Sequence, residues 1–369
     1  MSRYEVDPIW RQRGFNLVEM LVALAVGMIL FVGLGQVFVT TKHSSITHEE
    51  TALLQENSRY AAHLLAREIH HAGYLGCGTS ANLDVQSTGI FGDRFDVAID
   101  GYDAVGTAPG DDYTLGSESG TWSPPLPADL SNKGILPGSD VIVIHRAKGI
   151  GLKFSVQNGN GFIVPNPQEK TSNGCGGLQD SFYGLCPGSI ALVSDCTNAR
   201  SFVIDTLTLN GAGDLEIYHN EGWGGPGDPD INNQFNNEFS RLYTGYTISF
   251  FIRNGPNNVP SLYRLISGPS ATPEALIEGV ENMQILYGVD SDGDGTVNQY
   301  LPASGTLDFS KVISLRIGLL LRSVRGLPHR KPPKSPPGWR LLDTEITTAS
   351  DTLLRKVLNT TTQLRDQGF

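Results

Sequence analysis

Three groups of residues in this chain have types and spacings that could do chemistry. The first is a lone carboxylate, Glu19, set five residues after Gly14 in Arg13-Gly14-Phe15-Asn16-Leu17-Val18-Glu19-Met20. It is the sole charged side chain between Phe15 and Val39, an otherwise apolar run of 25 residues. An ionisable group in such a run costs on the order of 2.5–3.5 kcal/mol on insertion scales, so it is expected to be functional and to find a partner. The second group is Asp290-Ser291-Asp292-Gly293-Asp294-Gly295-Thr296-Val297-Asn298. Carboxylates at positions 1, 3 and 5 with glycine at 6 reproduce the first half of an EF-hand-type calcium loop. Its ligands would be Asp290, Asp292, Asp294, the Thr296 carbonyl and Asn298. Position 12 is Leu301, where the bidentate Glu would stand, and no clear helices flank the loop. A solvated Asp/Gly turn between two strands is the alternative.

The third group is four cysteines, Cys77, Cys175, Cys186 and Cys196. An even number with no CxxC points to disulfides in an oxidising compartment and away from zinc. Four cysteines allow three pairings, among which the sequence does not choose. The preferred reading joins Cys175 to Cys186 across a short Gly-rich loop and Cys77 to Cys196, helix end to sheet.

For catalysis the chain offers little. Gly116-Ser117-Glu118-Ser119-Gly120 has Glu where a nucleophile elbow has Ser, and no glycine loop for phosphates occurs. His43, His48, His63, His70 and His71 follow one another along a helical stretch without forming a matched ligand set. The chain is therefore expected not to be an enzyme, with a membrane-anchored periplasmic enzyme as an alternative. A formal net charge of −11 argues against nucleic-acid partners, because an acidic surface repels phosphate.

The elements that must position these groups follow from patterning. Residues 15–40 read as a transmembrane helix, since 25 residues at roughly 1.5 Å each reach about 37 Å, more than a hydrocarbon core of about 30 Å. The run is too long for a secretory signal, and no small-x-small site follows it. Arg3, Arg11 and Arg13 outnumber Glu5 and Asp7 ahead of it, a bias that keeps residues 1–14 cytoplasmic. Residues 41–72 continue the helix in amphipathic form. Ile46, Leu53, Leu54, Ala61, Leu64, Leu65 and Ile69 make the apolar stripe, Glu49, Glu50, Glu56, Arg59, Arg67 and Glu68 lie on other faces, and Gly73 ends it. Residues 73–369 form a disulfide-containing β-rich head. Strands are expected at Asp140–Arg146, Ser189–Ser194, Ser201–Leu209, Asp214–His219, Arg241–Arg253, Leu262–Ile266, Glu281–Val289 and Lys311–Arg322. Gly92–Leu136, Glu221–Asn237 and the basic, Pro-rich Gly326–Trp339 are expected to be loops, and Glu274–Leu286 to begin as a helical turn. The fold class is thus α+β: a long N-terminal helix packed on a large, mostly antiparallel sheet head.

Gly14-Phe15-Asn16-Leu17-Val18-Glu19 resembles the cleavage and methylation motif of type IV prepilins and type II secretion pseudopilins. That resemblance implies a prepilin peptidase cut between Gly14 and Phe15, after which Phe15 carries a methylated amino terminus. A free α-amine is largely protonated at neutral pH and suits a Glu19 carboxylate of a neighbouring subunit. Further stretches resemble PilW-type minor pilins: Ala72–Cys77, Ala191–Cys196 leading to Ser201–Ile204, Val280–Asp290 and Val312–Leu319. The implied protein is a type IV pilin-like subunit that, with other minor pilins and the major pilin, primes pilus assembly on an inner-membrane platform. It would end at the pilus tip, holding a large adhesin, with roles in twitching motility and cell adhesion. Before assembly it would sit in the inner membrane as a single pass with its head in the periplasm. A large tip-forming type II secretion pseudopilin shares the N-terminal chemistry and is the other reading.

Overall fold

The structure, a computed structural model, describes residues 16–76, 83–85, 94–116, 120–157, 161–177, 179–219, 235, 238–268, 271–327 and 329–364. One helix, Leu17–His70, runs for 54 residues, about 80 Å at 1.5 Å per residue. Asn16 caps it, and Gly73 leaves it with φ +72°, a left-handed conformation that costs glycine nothing. The Gly73 N–H donates to the His145 carbonyl at 2.8 Å, so the turn that ends the helix also docks it on the sheet.

The two halves of the helix differ in what they touch. Its apolar front has a window of mean hydropathy 2.6, none of it buried within the chain. In the back half, Leu54, Ala61, Leu64, Leu65 and Ile69 are buried as the stripe predicts, whereas Leu53 faces outward. Glu50 and Glu68, expected on other faces, are buried too. Their positions explain this: Leu54, Ala61 and Glu68 stand at steps of seven, and Glu50 lies one turn before Leu54, so both acids belong to the buried row.

The head is built of mostly antiparallel sheets, among which the largest has nine strands. Its centre is strand Arg241–Asn254, flanked by Val141–Leu152 on one side and by Ile190–Ser194 and Pro260–Ile266 on the other. A second sheet orders Gln299–Leu301, Val280–Val289, Val312–Arg322 and Arg355–Gln363. The back of the helix and both sheets share one core, in which Leu65 and Ile69 join Ile142, Phe250, Met283, Leu315 and Ile317. A second core around Phe162, Phe202 and Leu215 sits under the disulfide-bearing segment.

Several expectations are corrected. Gly92–Leu136 is no loop: it contributes strands Ile99–Ala104, Asp112–Thr114 and Trp122–Ser123, and buries Phe95, Val97 and Leu130. The signal of its longest strand was broken up by Asp100, Gly101 and Asp103, which lie inside the strand where it pairs. Ser201–Leu209 divides into Ala199–Val203 and Thr206–Leu209. Glu274 begins a strand and no helical turn, and Gly279 at φ +83° separates it from Val280–Val289. The basic stretch is exposed from His329 through Pro336 as expected, but Gly338–Leu341 pairs with Thr344–Thr347. Most of Glu221–Asn237 and residues 117–119 lie outside the described residues.

Candidate functional site

Gly14 and Phe15 lie outside the described residues; Glu19 stands in the first helical turn. Asn16 and Glu19 form a capping box, in which the Val18 N–H donates to Asn16 Oδ1 at 3.5 Å and the Asn16 N–H to Glu19 Oε2 at 3.4 Å. These bonds are long, and the only group they bring to the carboxylate is a neutral amide. The countercharge that an apolar surrounding demands is absent from the described residues near it. Around it Leu17, Val18, Met20 and Leu21 are exposed. A Cβ on Gly27, Gly33 or Gly35 would meet nothing within 4 Å, so no contact among the described residues requires those glycines. Close approach of another helix remains the packing role that small residues serve in membranes.

Several buried acids of the helix back and the head are supplied from within. Glu68 accepts from Arg146 at 2.8 Å and from Arg67 at 3.1 Å, which fastens helix to sheet. Glu281 is gripped by Arg355 through two bonds, 2.7 and 3.1 Å, with Arg322 at 3.2 Å and Asp351 closing the network on Arg355 at 2.6 Å. The adjacent Lys356 donates to Ser58 on the helix at 2.9 Å. All ten residues of Val280–Val289 are buried, so its polar side chains need partners on the face away from the core. Asn282 and Gln284 donate to the Gly138 carbonyl at 2.5 and 2.8 Å, and Asp140 accepts from the N–H groups of Ala104 and Ile285 at 2.8 and 2.7 Å. Asp140 thereby stitches the two sheets together. Burial, reinforced by Asp103, pushes its pKa well above the carboxylate range despite those two donors. Burial, with Asp111 adding to it, pushes Asp103 up to about 7.

The loop between Val280–Val289 and Gln299–Leu301 brings Asp290, Asp292 and Asp294 together, with one carboxylate oxygen of each within 4.8 Å of the others. Burial would raise the Asp290 pKa, but the N–H groups of Gly295 and Gly293, at 2.8 and 2.7 Å, outweigh it and hold it below the ordinary range. Thr296 donates its N–H and hydroxyl to Asp294. Asn298, expected as a ligand, lies beside the acids: its Oδ1 accepts from Ser291, and its amide donates to Asp292 at 3.4 Å. Three carboxylates this close fit a hard cation such as calcium, which Asp290, Asp292 and Asp294 would hold.

Elsewhere, His145 lies between Asp100 and Thr247, 3.1 Å from each, an order of groups that serves acyl transfer in other settings. Sequence reasoning did not single it out, since the three residues come from three separate strands. Here Thr247 and His145 are buried, and the chain of bonds ties neighbouring strands of the large sheet. Cys175 and Cys186 are joined, with Cα atoms 5.4 Å apart, as preferred. Cys196 is also disulfide-bonded, and its expected partner, Cys77, lies outside the described residues.

A long helix with an unburied apolar front and a lone acid at its start, carrying an antiparallel β head, defines a pilin-like architecture. Residues 11–35 match the prokaryotic N-terminal methylation motif, and residues 249–366 match the family of type IV pilus-assembly protein W, PilW. These two matches fit a PilW-type, prepilin-like minor pilin related to the type IV pilus. The second takes in Val280–Asp290 and Val312–Leu319 and stops short of Ala72–Cys77 and Ala191–Cys196. No curated protein and no solved structure matches the chain.

Proposed function

We propose that this chain is a minor pilin that, with other minor pilins, primes type IV pilus assembly at the inner membrane and then occupies the pilus tip, where it serves twitching motility and adhesion. What carries the reading is one contrast: the buried Glu68, Glu281 and Asp140 have their donors inside the chain, whereas Glu19, in the segment matching the methylation motif, has none but its own cap among the described residues. Prepilin peptidase removes residues 1–14, and the new Phe15 amine of one subunit meets the Glu19 of its neighbour. The pair sets the register of helices more than it adds stability, because desolvating both charges offsets most of their attraction. The head stands in the periplasm until assembly carries it outward, with a large adhesin as a tip partner. Calcium in the Asp290–Asp294 ring belongs to the same proposal, as a local stabiliser of the head.

Complementation tests the reading. A strain lacking the chain should lose surface pili and twitching while keeping type II protein secretion, and restoring the chain should restore both. Loss of secretion with normal piliation would assign it instead to a secretion pseudopilus. N-terminal sequencing of the membrane-extracted protein should begin at Phe15; a chain starting at Met1 sinks the processing step.

A further inference from the structure

The basic Pro-rich stretch has a fixed place beside the helix. From Val324 to Pro337 it carries Arg325, Arg330, Lys331 and Lys334 and no acid, in a chain of net charge −11. It is held at both ends. Leu327 is buried and donates its N–H to the Thr352 carbonyl at 3.1 Å, Arg330 donates to the Leu353 carbonyl at 3.2 Å, and the Pro337 carbonyl accepts from the Thr348 N–H at 3.0 Å. Between these ties His329 rests on the helix, its ring 4.5 Å from that of His43 and its Nε2 3.5 Å from the Thr47 hydroxyl. Arg325, Lys331 and Lys334 are exposed and have no ion-pair partner among the described residues; Lys42 adds a fourth such cation from the helix itself.

Depth follows from helix geometry. His43 lies four residues past Val39, the last residue of the apolar run, or about 6 Å along the axis. The polar layer on each side of a bilayer is itself roughly 5–7 Å thick, the difference between a 30 Å core and a 40–45 Å whole. The contacts to His43 and Thr47, about 6 and 12 Å past the run, therefore set His329 at the outer edge of the lipid headgroup layer when the apolar run fills the hydrocarbon. Cations near an anionic leaflet attract it within about a Debye length. We propose that Lys331, Lys334 and Lys42 form a collar that binds anionic phospholipid headgroups of the leaflet facing the head, holding the unassembled subunit upright on the membrane. The inference rests on reading the helix as membrane-spanning.

The test uses the full chain reconstituted into vesicles of phosphatidylcholine alone or mixed with phosphatidylglycerol, with a nitroxide on Ser335→Cys; no free cysteine among the described residues competes for the label. The expected result is a several-fold fall in label mobility on adding phosphatidylglycerol, reversed at high salt and lost in Lys331→Gln/Lys334→Gln, two exposed side chains with no ion pair among the described residues. Equal mobility in both bilayers, or an unchanged response in the double variant, overturns the collar. The same immobilisation by inorganic phosphate over phosphatidylcholine would show a free-anion site, and immobilisation only on adding other minor pilins would show a protein acceptor; either also overturns it. Alkaline extraction run alongside reports insertion separately. Protein washed off the vesicles would refute the spanning helix and the collar with it, whereas inserted protein with a freely moving label refutes the collar alone.

Discussion

Glu19 and Glu68 sit on the same helix, each among apolar neighbours, and meet opposite fates. Glu68 is buried against the head and bonded to Arg146 at 2.8 Å. Glu19 stands on a surface that no described residue covers and holds only an amide at 3.4 Å. A carboxylate removed from water needs a donor wherever it goes. The back of the helix is therefore a finished interface, and under the proposed function the front is one that a second molecule completes. The acid is a structural fastener in one place and, under that proposal, a docking group in the other.

Substitution should separate the two. Glu19→Ala should leave the melting temperature of the detergent-extracted protein unchanged, ease insertion, and abolish incorporation into pili, read by counting surface pili. Normal piliation would show that the front needs no charge. Glu68→Ala should do the reverse, leaving Arg146 largely buried without its carboxylate. Such losses cost about 3–5 kcal/mol in full burial, and about 2–3 kcal/mol here because Arg146 keeps some solvent access. A thermal midpoint equal to wild type would break the comparison.

Much of this was legible in the sequence, because the helix front is a statement about composition: one acid in an unbroken apolar run has few readings. The strands with regular alternation, such as Val312–Arg322, were visible for the same reason. What escaped depends on partners distant in the chain. Arg355–Gln363, the strand the helix leans on, reads RKVLNTTTQ and alternates too weakly to be seen, since its burial comes from the helix and from Val312–Arg322. Glu68 looked solvated because a charge was assumed to mark an outer face, although its step of seven from Ala61 placed it on the inner one. Asn298 was placed by loop position alone, and the bond its oxygen accepts from Ser291 was not visible in the spacing. The disulfide loop was readable because Cys175 and Cys186 are close in sequence.

Asp103 sharpens the comparison as a head acid without a cation among the described residues. Its pKa, pushed up to about 7 mainly by burial, lies above the ordinary value of 3.8. The folded head therefore holds a proton that the unfolded chain gives up between those values. Stability from this group is full below about pH 4 and is lost as pH rises through about 7. Asp103→Asn should flatten that dependence and raise stability at pH 7.5 by on the order of 1 kcal/mol, measured as the midpoint difference between pH 5.5 and 7.5. A wild-type midpoint that rises over this range would contradict the sign.

The smallest expected effect belongs to the acids at the tip of the Val280–Val289 hairpin, which resemble Glu19 in having no cation beside them among the described residues. Asp292 is the residue to change, because the bond it accepts from Asn298 is long, whereas Asp290 holds two backbone N–H groups that shape the loop. With affinities of about 10⁻⁴–10⁻³ M, typical of extracellular modules, millimolar calcium should stabilise the head by roughly 1 kcal/mol through mass action. Chelator should remove that gain from the wild type and do nothing to Asp292→Asn. If calorimetry finds no heat and chelator leaves the wild-type midpoint where it was, the loop is a solvated turn, its acids are balanced by backbone donors alone, and Glu19 is left as the acid whose partner must be another subunit.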